Sequence, residues 1–260
     1  MLETVTGFVH QAGALVLEAF HRRVPAQRKG FLDVVTETDL ASSELLTQLL
    51  RNAFPAHGVV SEEAHALGPT DIYWCIDPLD GTKNFCRGIP HFCVTIALIE
   101  GGFPTLAITH DPVRGETFTA ERGGGAHLNG ASLAVSQVAP LDQAILASGF
   151  PSGKRHRDLD PQPFLEIARR AQGLRRTGSS ALDLAYVAAG RFDAAWDWGL
   201  QPWDVAAGIL LVREAGGVCS DWIGDPVSLP PGGIIAANQP LHPALIHILK
   251  PLTPKAPNGS

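Results

Sequence analysis

Asp77-Pro78-Leu79-Asp80-Gly81-Thr82-Lys83-Asn84-Phe85 follows directly on the apolar run Ile72-Tyr73-Trp74-Cys75-Ile76, and this junction decides how the chain is read. The run has the length and bulk of a buried strand. At its carboxyl end, a Pro- and Gly-bearing turn carries two carboxylates three residues apart. An Asp-Pro or Asp-Gly pair alone is ordinary turn chemistry, but a turn does not require two acids, a Gly, a Thr and an Asn together. Carboxylate, carbonyl and water oxygens are the ligands Mg²⁺ prefers. Gly81 lets backbone N–H groups approach an anion, and the Thr82 hydroxyl can orient a water. The combination points to a magnesium-dependent phosphate-ester site.

Three other acid-bearing turns share that context. Val34-Val35-Thr36-Glu37-Thr38-Asp39 runs into an amphipathic stretch from Leu40 to Phe54; alone, Asp39 reads as a helix cap. Val59-Val60-Ser61-Glu62-Glu63 reads as a short strand ending in paired acids, and Glu63 also fits a solvated loop. Trp203-Asp204-Val205-Ala206-Ala207-Gly208 opens an apolar helix, where Asp204 would complement the helix dipole. Each has a plain local explanation. Four at strand ends and helix starts fit one shared site better.

The chain resembles the inositol monophosphatases, lithium-sensitive and Mg²⁺-dependent phosphatases, and its bacterial branch most. The carrying residues are Asp77 to Thr82, Ser61-Glu62-Glu63 and Trp203 to Ala207. His110 to Ala120, Gly178 to Gly190 and Val212 to Gly217 extend the match to nearly the whole length. The resemblance implies a layered αβαβα sandwich of α+β and α/β character. Residues 1–150 would form an N-terminal lobe with an antiparallel sheet and most metal ligands. Residues 151–260 would form an α/β lobe with the last ligand and the substrate-recognition residues.

It also implies roles. Glu62, Asp77 and the Leu79 carbonyl would hold a first Mg²⁺; Asp77 would bridge to a second shared with Asp80 and Asp204; a third, looser ion would rest mainly on Glu62. Gly81 and Thr82 N–H groups would cradle the phosphate, while Asp39 and Thr82 would orient and help deprotonate the attacking water. Gly178, Ser179, Ser180 and Asp197 would face the alcohol, with Asp80 and Asp204 bordering the substrate. Lys29 matches a flexible lysine of the family.

Departures from the family pattern include Lys83, which follows Thr82 where Thr or Ser is common and could draw in a second anionic group or stay in solvent. Asp197 stands where the family's recognising acid is usually Glu, one methylene longer, so the grip on ring hydroxyls could be lost or pass through water. Ser61 replaces a usual Gly. The expected activity is hydrolysis of inositol 1-phosphate and related polyol phosphates. Histidinol phosphate is the alternative substrate, and a transcription-antitermination partner keeping the phosphatase fold is the alternative role. A homodimer follows from the resemblance alone.

Composition agrees with an enzyme that buries a large core: 260 residues, 45% hydrophobic. A net charge of −6 leaves no electrostatic footprint for nucleic acid, and no run is long enough to span a bilayer. The start lacks a secretory pattern, so a cytoplasmic location is expected. Cys75, Cys86, Cys93 and Cys219 lack metal spacing and read as small hydrophobes in a reducing compartment. Residues 3–23, 39–54, 161–172, 180–190 and 203–216 read as helices. Strands are expected at 72–77, 92–100, 104–110 and 116–120, a joint at 149–153, and a frayed tail from Thr253.

Phosphate-monoester hydrolysis is extremely slow in water, so rate must come from positioning and charge neutralisation. Carboxylates cannot neutralise a phosphate themselves. Several together can hold the cations that do.

Overall fold

The computed structural model describes residues 1–23, 27–30, 33–69, 71–149, 160–227, 229 and 232–253, with backbone alone at 27–30, 33–35 and 64–66. The expected joint beyond 149 and the tail beyond 253 lie outside these residues. In chain order the first half runs α1 (Leu2–Arg22), β1 (Gln27–Gly30), β2 (Asp33–Val35), α2 (Glu37–Ala53), β3 (Gly58–Ser61), β4 (Ala64–Leu67), β5 (Ile72–Asp80), α3 (Thr82–Cys86), β6 (Cys93–Glu100), β7 (Phe103–Asp111), β8 (Glu116–Glu121), β9 (Gly125–Leu128) and β10 (Ala131–Ser132). Then follow β11 (Ile145–Ser148), α4 (Gln162–Ala168), β12 (Gly173–Arg175), α5 (Ser180–Ala188), β13 (Ala194–Trp198), α6 (Pro202–Glu214), β14 (Val218–Ser220), β15 (Gly233–Ala237) and α7 (His242–Leu249).

Eight strands form the first sheet, in the order β10-β9-β8-β7-β6-β5-β3-β4. It was expected to be antiparallel, and it is, except that β3 and β5 run parallel. The chain turns back from β3 into β4 on the outer edge, then returns past β3 to lay β5 on its inner side. Two reversals leave β3 and β5 pointing the same way, and both end beside each other at the site. Seven consecutive residues of β6 are buried because helices cover both faces of the sheet.

The second sheet has the order β12-β11-β13-β15-β14. Its β12, β11 and β13 are parallel, joined through helices, while β15 and β14 are antiparallel additions. Packing stacks the elements in five layers: α1 and α2, the first sheet, α5 and α6, the second sheet, and α4 with α7. The expected αβαβα sandwich is therefore the observed one.

Layering explains the helix patterns. α1 buries one stripe, Val5, Val9, Ala12 and Val16, against the first sheet. Every residue of α6 from Val205 to Val212 is buried, as a helix held between two sheets requires. At Gly208 a Cβ would come within 2.4 Å of the Leu184 side chain, so α5 and α6 touch closely where glycine permits. All four cysteines are free, and Cys75, Cys93 and Cys219 are buried.

Candidate metal and phosphate site

Glu62 follows the end of β3, and its N–H bonds Ile76 O at 3.2 Å, one residue before Asp77. The parallel pairing of Ser61 with Ile76 thus sets Glu62 beside Asp77. The expected strand 72–77 extends to Asp80, carrying Pro78 within it. Pro78 lies in the shift of register between Asp77 and Asp80, where a missing N–H breaks no ladder bond. Asp77 is buried, 2% exposed, and its Oδ1 accepts the Leu79 N–H at 3.0 Å.

Asp39 and Asp204 arrive by a shared device. Each is the third residue of a helix and closes a capping box, with Thr36 before α2 and Gln201 before α6. Asp39 Oδ2 takes the Thr36 N–H at 2.8 Å, and Asp204 Oδ2 takes the Gln201 N–H at 2.7 Å. The cap residue is Thr36 and not Asp39, which closes the box from inside the helix; the second oxygen of Asp39, Oδ1, accepts the Thr82 hydroxyl at 3.0 Å. That hydroxyl lies 3.0 Å from Leu79 O as well.

The turn itself is braced by two serines that no sequence pattern marked. Ser42 Oγ donates to Pro78 O at 2.9 Å, and Ser43 pairs with Ser61 at 2.8 Å. Gly81 adopts φ 93°, and a Cβ there would lie 3.0 Å from His91 O, so a side chain would be both strained and crowded. It caps α3, whose first internal bond runs from Phe85 N–H to Gly81 O at 3.0 Å. The N–H groups of Gly81 and Thr82 precede that bond and belong to the unpaired start of a helix.

Asp80 points towards α5. Its Oδ2 accepts the Ser179 hydroxyl at 2.6 Å and the Ala181 N–H at 2.8 Å. Ser179 is 1% exposed and turned to Asp80, whereas the resemblance implied that it faces a substrate. Gly178, by contrast, is exposed and Ser180 partly so. Asp197 is buried, with Oδ1 accepting the Trp198 N–H at 2.8 Å; a Cβ on Gly149 would fall 2.5 Å from its Oδ2. Lys29 lies on β1, where only backbone is described. Sequence reasoning counted Asn84 in the turn motif without giving it a role, and passed over Asp183; both are buried, and Asp183, an acid inside the apolar stretch of α5, was the available signal.

Electrostatics bind the acids into one unit. Burial pushes the Asp77 carboxyl well above the usual range, and the charges of Glu62, Asp80 and Asp204 push it further. Asp204 is raised well above by burial, then by Asp80, Glu62 and Asp197. Burial also raises Asp80, against the hydrogen bonds from Ser179, Ala181 and Ser180. Asp39 is raised by burial despite its bonds to Thr36 and Thr82. Asp197 is pushed up to about 7, chiefly by burial.

Among the described residues, no group of three or more His, Cys, Asp and Glu side chains forms a ready-made metal cage. The donor set still fits Mg²⁺, which usually takes one or two carboxylates and keeps several waters. Buried acids whose strongest neighbours are also negative call for a cation. Thus Glu62, Asp77, the Leu79 carbonyl, Asp80 and Asp204 could hold it.

The fold recurs in known proteins. The structure superimposes with a TM-score of 0.90 on the extragenic suppressor protein suhB of Bartonella henselae, 36% identical, over 95% of this chain and 97% of that one. The inositol monophosphatase family model matches residues 1–253, and the chain belongs to that family. Among curated proteins it is similar to the Nus factor SuhB of Pseudomonas aeruginosa, 42% identical over 98% of this chain and 97% of the relative. It is also similar to the inositol-1-monophosphatase of Synechocystis sp., 38% identical over 95% of this chain and 88% of the relative.

Proposed function

We propose that this chain is a Mg²⁺-dependent phosphomonoesterase acting on inositol 1-phosphate and related polyol phosphates. The observation that carries this is the convergence of Glu62, Asp77, Asp80 and Asp204 from three separate segments of chain, with Glu62 set beside Asp77 by the parallel pairing of β3 and β5. Mg²⁺ bound there supplies positive charge against the phosphate oxygens. The N–H groups of Gly81 and Thr82 receive a phosphate oxygen. Asp39, its carboxyl raised by burial, accepts a proton from the attacking water while the Thr82 hydroxyl fixes its orientation. Gly178, Ser180 and Asp197 border the alcohol.

Phosphate release with Mg²⁺ tests this on inositol 1-phosphate, histidinol phosphate, fructose 1,6-bisphosphate, adenosine 3′,5′-bisphosphate and glycerol 2-phosphate. Preference for inositol 1-phosphate is expected. Preference for histidinol phosphate would replace the substrate. No release with metal bound would favour a second reading, a partner of the transcription machinery, which the name of the Pseudomonas relative supports.

A further inference from the structure

Asp80 and Asn84 sit on the turn and helix that leave β5, and residues 177–181 hold both. The Ser179 hydroxyl and the Ala181 N–H converge on one oxygen of Asp80, at 2.6 and 2.8 Å. Asn84 uses both protons of its amide, one on His91 O at 2.8 Å and the other on Thr177 O at 2.9 Å. Thr177 is itself fixed, because its hydroxyl donates to the buried Asp183 at 2.7 Å. Gly178 lies between these contacts at φ 90°, and a Cβ there would meet Asn84 Nδ2 at 3.0 Å. Bare backbone therefore closes on the amide.

We propose that Ser179 and Asn84 are positioning residues, a two-point tie through which residues 177–181 aim the Asp80 carboxylate and so set the cation affinity of the site. The inference deepens the reading above and rests on it for the identity of the cation. A carboxylate with one oxygen fixed by two short hydrogen bonds cannot swing, so its other oxygen is aimed before any ion arrives. Without the Ser179 hydroxyl, the shortest side-chain bond to that oxygen is gone, and the Ala181 and Ser180 N–H groups are left to restrain it. Without the Asn84 amide, the backbone carrying both donors is loosened from the turn that carries Asp80. Ser179, 1% exposed, acts on the site through Asp80 and not on a substrate.

Titration calorimetry of the full chain with Mg²⁺ alone reads this without turnover. Ser179→Ala should weaken Mg²⁺ roughly 10- to 100-fold, the usual effect of losing a partner behind a metal ligand. Ser179→Thr, which keeps the hydroxyl, should restore most of it. Asn84→Ala should weaken Mg²⁺ in the same direction, and it carries the test if Ser179→Ala does not fold. At saturating Mg²⁺ the KM of Ser179→Ala for inositol 1-phosphate should stay within about twofold. Unchanged Mg²⁺ affinity with a raised KM would overturn the proposal and make Ser179 a substrate contact. Unchanged affinity with melting temperatures lowered equally with and without Mg²⁺ would overturn it in favour of a purely structural role. If the unaltered protein binds Mg²⁺ but cleaves no ester, the phosphatase reading falls and the tie stands on binding alone. If it binds no Mg²⁺, both fall.

Discussion

Thr82 Oγ1 lies 3.0 Å from Asp39 Oδ1 and equally 3.0 Å from Leu79 O, so one proton faces two acceptors. In the proposed reaction the proton belongs to Asp39, because the Leu79 carbonyl is among the metal donors. Thr82→Ala should lower kcat by about 10²- to 10⁴-fold, the span of a lost proton-transfer contribution, with little change in KM. Thr82→Ser should keep most of the activity. Steady-state kinetics of the two variants decide the matter, and equal loss in both would take the hydroxyl out of the reaction.

Asp77 sits at the centre of the acids, buried and raised by three neighbouring charges. Asp77→Asn should abolish phosphate release. It should also melt higher than the unaltered protein when no Mg²⁺ is present, since it removes a repelled buried charge, at about 2–4 °C per kcal/mol relieved for a domain of this size. Mg²⁺ should then add little. A melting curve with and without Mg²⁺ checks both statements, and substantial residual turnover would sink the ligand assignment.

For the carboxylates the pH sign is set by folded-state pKa values above the unfolded value of 3.8. Between 3.8 and the raised value the folded chain binds more protons, so stability without metal falls as pH rises. For Asp197 that window closes near 7. Denaturant midpoints without Mg²⁺ should therefore contain a carboxylate term that favours pH 5 over pH 8. Mg²⁺ uptake near pH 6 should release protons, visible as a buffer-dependent heat.

His110 works in the opposite sense. Burial and the nearby His10 ring, 4.7 Å away, lower it from 6.5 to about 4, and its Nδ1 is 3.0 Å from the Thr117 hydroxyl. A depressed value means stability present above 6.5 and lost as pH falls from 6.5 towards 4, by on the order of 3 kcal/mol at most. His110→Asn should flatten that acid limb. Unfolding of the variant and parent compared at pH 7, 5.5 and 4 provides the check; parallel curves would remove His110 from acid sensitivity.

Asp197 is held against Gly149, and its Oδ1 accepts the Trp198 N–H at 2.8 Å. Asp197→Ala should raise KM for inositol 1-phosphate more than for a simple aryl phosphate. Equal effects on both would remove Asp197 from recognition.

Much of this was legible in residue order. The apolar run before Asp77, the amphipathic stripe of α1 and the apolar helix after Trp203 all formed as their patterns indicated. The strand end at Asp77 was set too early, because Pro78 reads as a stop while an irregularity in pairing accommodates it. Three-residue strands such as β12 and β14 are too short to show a period. Ser42 and Ser43 were silent, and Asn84 had a place in the motif but no role, for a different reason: their partners are distant in sequence, and only the folded chain brings Pro78, Ser61 and Thr177 to them. The four acid turns were visible because each also had to satisfy a local need, a strand end or a helix start.

The placement of α6 between the two sheets has a temporal consequence. Asp204 rides on a helix that has no packed position until both sheets exist, so the last acid is delivered only to a finished molecule. A ribosome adding about 5–20 residues per second exposes the turn around Asp77 well before Asp204. During that interval the growing chain carries only part of the proposed metal-binding set. The proposed activity would thus be withheld until α6 is made and packed, and products truncated before Asp204 should be inert however well their first sheet has formed.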